Sequence, residues 1–237
     1  MTNYSVKISA RAKHVSLKIT PAEGLVVVVP RGFKNHELLD ELVASRSSWI
    51  KKVFSRFAEE PCLHSDAELP DSIHLPALDE DWTIDYIQTK ASTVRAVESD
   101  SLRLQVMGNV DDGEAAAKAL RRWLMRRAKE SLVPQLMQAS EACGLSYSKV
   151  TIRGQRTRWG SCSSTGSINL NYQLLFVSPE MMNYVFVHEL CHTAYLNHSA
   201  SFYKLLESYL PDYRNHEMQL KKAWRSMPAW LYRLQAA

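Results

Sequence analysis

Long apolar runs are absent from this sequence. No part of its 237 residues approaches the ~18 consecutive apolar side chains that a membrane helix requires, so no membrane partner is expected. Residues 1–10 alternate polar and apolar side chains and lack the apolar segment of a signal peptide. Cysteine is scarce: Cys62, Cys143, Cys162 and Cys191 stand at irregular spacing, which excludes a disulfide framework in a chain this large and points to a reduced, cytoplasmic setting. A strong excess of one charge is missing as well. With 29 Lys and Arg against 25 Asp and Glu, the net charge of +4 does not mark the whole chain as a nucleic-acid binder. Disorder is excluded too, because 46% hydrophobic residues suffice to bury a core.

What is present centres on His188-Glu189-Leu190-Cys191-His192, followed six residues later by His198. Two histidines four apart on a helix project from one face, with about 5–6 Å between their β-carbons, so both imidazoles can ligate one zinc ion. Glu189, beside them, can reach the metal's water without being a ligand, as a hydrolytic general base must. Composition alone yields this pattern on the order of once in a hundred such chains, so it carries weight as a motif.

Taken in order, the chain opens with three short runs, around Tyr4–Ile8, Val15–Ile19 and Leu25–Val29. They read as a small antiparallel sheet, and an amphipathic helix over 36–58 is expected to cover it. Alternation at Trp82–Tyr86, Val94–Ala96 and Leu102–Val106 predicts three more strands. Asp112 as N-cap and Gly144 as stop bound a long helix, which Pro134 should kink or divide. Its cations Lys118, Arg121, Arg122, Arg126, Arg127 and Lys129 form either a solvated face or a phosphate-tracking surface. Residues 167–176 alternate Ile168, Leu170, Tyr172, Leu174 and Phe176 with an amide-rich face, which predicts one strand. It is either a sheet edge able to pair with an extended peptide or an ordinary half-exposed strand. Ser178-Pro179-Glu180 starts the histidine helix, which should run to about Leu196 and close at a left-handed Asn197 so that His198 turns back. Ser199 caps a following helix, and a last, basic helix covers about 213–226. The fold class is α+β: residues 1–110 form a β-rich region and residues 111–237 a small domain with the histidine helix behind a short sheet.

Three segments together, Arg158-Trp159-Gly160-Ser161-Cys162, Ile168-Asn169-Leu170-Asn171 and Val187-His188 through His198-Ser199, resemble the YgjP-like zinc metallopeptidases. That family is zincin-like and related to the SprT-like proteases and to others that cut proteins crosslinked to DNA. The resemblance implies Zn2+ held by His188, His192 and His198, with Glu189 as general base, acting on a protein or peptide. Where a metzincin with the same histidine spacing has a turn glycine, this chain has Tyr195, so the turn must differ.

Three neutral imidazoles leave one zinc position open, the pattern of a catalytic site. Asn169, Asn171 and Arg158 are candidate substrate-binding residues. Arg158, Tyr203, Tyr209 and His216 could each polarise the oxyanion. Two alternatives stay open: a deformylase-like zinc amidohydrolase with Cys162 as third ligand, and a nucleic-acid-associated protein whose basic segments hold DNA while the zinc domain acts on bound proteins.

Overall fold

The computed structural model describes residues 4–10, 12–20, 24–33, 37–51, 53, 68–155, 157–228 and 230–231. It divides into two compact units, Met1–Leu63 and His64–Ala237. No helix among the described residues is long and apolar enough to cross a membrane.

The first unit contains β1 (Tyr4–Ser9), β2 (Ser16–Thr20), β3 (Gly24–Pro30) and α1 (Glu37–Ser45). The expected antiparallel sheet is in fact mixed, in the order β1-β3-β2: β3 runs antiparallel to β2 and parallel to β1. The near-continuous apolar run of β3 explains its central place, because Leu25, Val26, Val27 and Val29 are all buried there, whereas the middle of β1 is exposed. Leu39 and Val43 of α1, and Ile50 from a helical stretch at 47–51, pack on Leu25, Val27 and Val29. The predicted helix over 36–58 is thus interrupted at Arg46, and its end, 54–58, lies outside the described residues.

The second unit begins with β4 (Ser72–Leu75), β5 (Glu80–Gln88), β6 (Arg95–Ser99) and β7 (Arg103–Gly108), in the order β4-β5-β7-β6. Only β5 and β7 run parallel. β4 was not predicted, being too short for its alternation of Ile73 and Leu75 to register. The long helix α2 (Gly113–Cys143) follows. Asp112 caps it by accepting from the N–H groups of Glu114 and Ala115 at 3.1 and 3.0 Å, and Gly144, at φ 63°, ends it. Pro134 does not divide it. Leu120, Trp123, Leu124, Leu132 and Leu136 form its buried stripe, and Trp123 meets Trp82 edge-on at 5.1 Å. The sheet and the helix share one core, so the boundary expected between 110 and 111 falls inside this unit. Several cations of α2 are engaged internally. Arg122 donates to Val94 O at 2.7 Å, Arg127 pairs with Glu80, and Lys118 pairs with Glu114.

Next come β8 (Lys149–Arg153), β9 (Gly160–Cys162) and β10 (Ser167–Asn171), in the order β8-β10-β9, with β10 parallel to β8 and antiparallel to β9. The predicted strand over 167–176 stops at Asn171 and continues as a 3-10 turn over Tyr172–Phe176. Tyr172 to Leu175 are consecutively buried, which a two-residue period cannot describe, and Asn171 caps the turn by accepting from Gln173 N–H at 3.1 Å. The same strand was read as a possible edge, but it is central; the edges are β8 and β9. Helices α3 (Pro179–Ala194), α4 (Ala200–Tyr209) and α5 (Tyr213–Ala223) complete the unit, with a 3-10 turn at Trp224–Ser226 where the last helix was expected to continue.

One arrangement recurs in all three sheets. A strand is followed by a hairpin whose second arm lies against it in parallel: β3 between β1 and β2, β7 between β5 and β6, β10 between β8 and β9. The first two hairpins even share their register. Ser16 pairs with Val28 as Arg95 does with Met107, and Thr20 with Gly24 as Ser99 does with Arg103.

Candidate metal centre

Local chemistry starts α3 as the sequence predicts. The Ser178 hydroxyl accepts from Met181 N–H at 3.4 Å, Pro179 occupies the first turn, and Glu180 faces the positive end of the helix dipole. Tyr184, Val185, Phe186, Val187, Leu190 and Cys191 are all buried, so the helix is a core element and not a surface one. It ends at Ala194, earlier than expected. Tyr195 is extended at φ −132° and ψ 108°, and Asn197 is not in the left-handed conformation. The turn needs neither glycine nor asparagine, because the extended Tyr195 directs its carbonyl back to His192 Nδ1 at 2.9 Å. Ser199 then caps α4 by accepting from Phe202 N–H at 3.4 Å, which leaves His198 just ahead of the new helix.

These two helices bring His188, His192 and His198 together, with one ring nitrogen of each lying within 4.8 Å of the others. Nε2 of His188 and Nε2 of His198 are 3.2 Å apart. Tetrahedral zinc with ordinary Zn–N bonds needs its nitrogens about 3.3 Å apart, so the spacing fits that ion. The Tyr195 carbonyl can only accept, so Nδ1 of His192 carries the proton and its Nε2 keeps a free lone pair. Tyr184 Oη stands 3.4 Å from Nδ1 of His188, placing a similar partner behind that ring. Burial, helped by the two neighbouring imidazoles, pushes His188 down to about 3, and burial lowers His192 as well. Both are therefore neutral donors at neutral pH.

Glu189 lies on the same helix and is only 5% exposed. Burial pushes its carboxyl up to about 8, against the opposing charge of Arg158. Its Oε2 is buried without a hydrogen-bond partner among the described residues, a costly state for a carboxyl unless something else uses it. Beneath the histidines, the fully buried Phe202 places its ring centroid 5.0, 4.5 and 4.9 Å from those of His188, His192 and His198, stacking on His192. The sequence reading assigned Phe202 no place at the site. The position four residues after His198 was the available signal.

The other candidate residues are distributed as follows. Cys162 is not part of the donor cluster; it lies half-buried on β9, where burial and Glu189 push its thiol up to about 11. Asn171 is fully buried, and its amide donates to Gln155 O at 2.7 Å and Arg158 O at 2.9 Å, so its polar atoms serve the loop before β9. Asn169 donates to Ser161 Oγ at 3.3 Å across β9 and β10. Arg158 is exposed. The Tyr209 hydroxyl donates to Cys143 O at 2.6 Å. Tyr203 stacks on Tyr213, its ring 6.1 Å from that of His198. His216 lies 6.3 Å from Tyr184, its Nδ1 buried and unpartnered among the described residues.

Among curated proteins none matches the chain. Solved structures similar to part of it include two metallopeptidase zymogens. The crystal structure of the metallopeptidase zymogen abylysin from Pyrococcus abyssi shares 26% identity, covering 39% of this chain and 93% of that one at a TM-score of 0.36. That of the metallopeptidase zymogen jannalysin from Methanocaldococcus jannaschii shares 19% identity, covering 39% and 96% at a TM-score of 0.36. The family model described as YgjP-like, metallopeptidase domain, matches residues 13–223. With that match spanning most of its length and His188, His192 and His198 all inside it, the chain belongs to the YgjP-like metallopeptidases.

Proposed function

We propose that the chain hydrolyses peptide bonds with a zinc ion held by His188, His192 and His198 and with Glu189 as general base. The observation that supports it best is the pairing of three convergent imidazole nitrogens with a buried, unpartnered carboxyl on the same helix. Zinc in a three-nitrogen site polarises the scissile carbonyl and lowers the pKa of a coordinated water from ~16 toward ~7. The protein's share is to hold the imidazoles neutral, to hold their orientation and to move one proton. The Tyr195 carbonyl orients His192, and Phe202 excludes water beneath all three rings. Glu189 takes the proton of the attacking water and passes it to the leaving amine. Arg158, exposed beside Glu189, favours the ionised carboxylate and is the candidate to meet the developing oxyanion. Tyr209 is a weaker candidate for that task, its hydroxyl being committed to Cys143 O.

An extended substrate needs a free strand edge. β10 has none, and β9, which carries Gly160 against α3, is the edge beside the site. Action on DNA-bound proteins would need cations other than Lys118, Arg122 and Arg127, which are engaged within the unit. The test is zinc analysis with casein cleavage on wild type and three variants. Glu189→Gln is expected to keep zinc and lose cleavage, His198→Ala to lose zinc, and Cys162→Ser to keep both. Full cleavage by Glu189→Gln, or full zinc in His198→Ala, overturns the assignment.

A further inference from the structure

Gly160 is glycine for no backbone reason. It lies in β9 opposite Leu170, and its φ is not among the positive ones. A glycine inside a strand weakens it, so the missing side chain must serve something else. A Cβ built at position 160 would lie 2.7 Å from Oε1, 2.8 Å from Cγ and 2.9 Å from Cδ of Glu189, closer than carbon and oxygen can approach. The space a methyl would fill is occupied by the Glu189 side chain.

Neither backbone is free to withdraw, so the Glu189 side chain must yield. Glu189 is buried on a helix packed on both sides. The segment carrying Gly160 is clamped from β10: Asn171 N–H donates to Trp159 O at 2.8 Å, and the Asn171 amide holds the carbonyls of Arg158 and Gln155. Trp159 is itself buried and stacked on Trp224 at 4.0 Å. We infer that Gly160 is a positioning residue for Glu189: the bare backbone of β9 is the wall against which the carboxyl is set, and any side chain there displaces it. The inference rests on the proposed role of Glu189, and it assigns a task to the glycine of the Arg-Trp-Gly-Ser-Cys segment.

The test is Gly160→Ala, read in three ways. Zinc content should equal that of wild type, because the added methyl touches the base and not the three imidazoles. The kcat for casein-derived peptide should fall by about a hundredfold or more, the usual worth of a positioned base, with KM unchanged. Apo-protein unfolding midpoints should show coupling: Gly160→Ala lowers the midpoint in the wild-type background and leaves it unchanged or raises it in the Glu189→Ala background, where the clashing atoms are gone. If Gly160→Ala alone fails to fold, the double variant should fold. Wild-type kcat in Gly160→Ala, loss of zinc, equal midpoint shifts in both backgrounds, or a double variant that also fails to fold would each overturn the inference. Should Glu189→Gln retain activity, the proposed function falls while the midpoint cycle still decides whether Gly160 seats that side chain.

Discussion

Phe202 is the side chain whose removal tests most directly how the histidine cluster is held. Its ring is fully buried and within 5.0 Å, centroid to centroid, of all three imidazoles. Phe202→Ala deletes the floor and is expected to cost the apo protein about 3–5 kcal/mol, as buried aromatic truncations do. Phe202→Leu keeps an apolar floor and should cost less. If the floor also orients the imidazoles, zinc affinity should weaken at least ~10-fold, the lower end for residues that support ligands. The consequence is readable by linkage. At free zinc a hundred times the wild-type Kd, binding adds about 2.7 kcal/mol to stability, and a tenfold weaker variant gains only ~1.4 kcal/mol at the same concentration. Urea unfolding of apo and zinc-loaded protein at one fixed free zinc concentration, for wild type and both variants, measures both quantities. A Phe202→Ala protein that loses apo stability yet gains the same increment from zinc would refute the orienting role and leave only a packing one.

Two further predictions concern groups outside the cluster. Burial alone would raise the Glu80 carboxyl, but hydrogen bonds from Arg127 and from Trp82 Nε1 at 2.8 Å hold it below its ordinary value of 4.5. The folded state therefore sheds this proton before the unfolded one does, so the stabilisation is complete above about pH 4.5 and fades as pH falls through the lower folded value. Glu80→Gln should cost about 1–3 kcal/mol at pH 7 and flatten the acid limb of a stability-versus-pH curve; an unchanged limb would count against the pairing. Asn171→Ala removes four side-chain hydrogen bonds of about 1 kcal/mol each and should lower stability by roughly 4 kcal/mol with KM unaffected in the folded protein. A raised KM without loss of stability would instead make it a substrate residue.

What could be read from the sequence was what neighbouring residues decide among themselves. The Ser178 and Asp112 caps, the Gly144 stop and the placing of His188 and His192 on one helix face all depend on contacts a few residues apart. Strand positions came from alternation, but strand neighbours and directions did not. Alternation reports which face a residue takes, not which strand lies beside it, hence the parallel pairing of β1 with β3. Asn171 looked like one of two amides on an open strand face, and only the fold shows that a loop sixteen residues earlier uses it. Gly160 approaches the cluster from β9 with nothing local to announce it, and Phe202 approaches from α4 with only its place four residues after His198 as a hint.

The order of synthesis gives the recurring strand arrangement a kinetic consequence. β8 and β9 are not neighbours, so neither gains a ladder until β10 has left the ribosome and slotted between them. The hairpin of β9 and β10 can close locally, but β8 must then dock on its far side across a longer loop. The histidine helix α3 follows, so Glu189 can meet β9 only after β10 has emerged as well. A nascent chain halted before β10 would thus carry two unpaired strands and lack the Glu189 side chain that β9 receives.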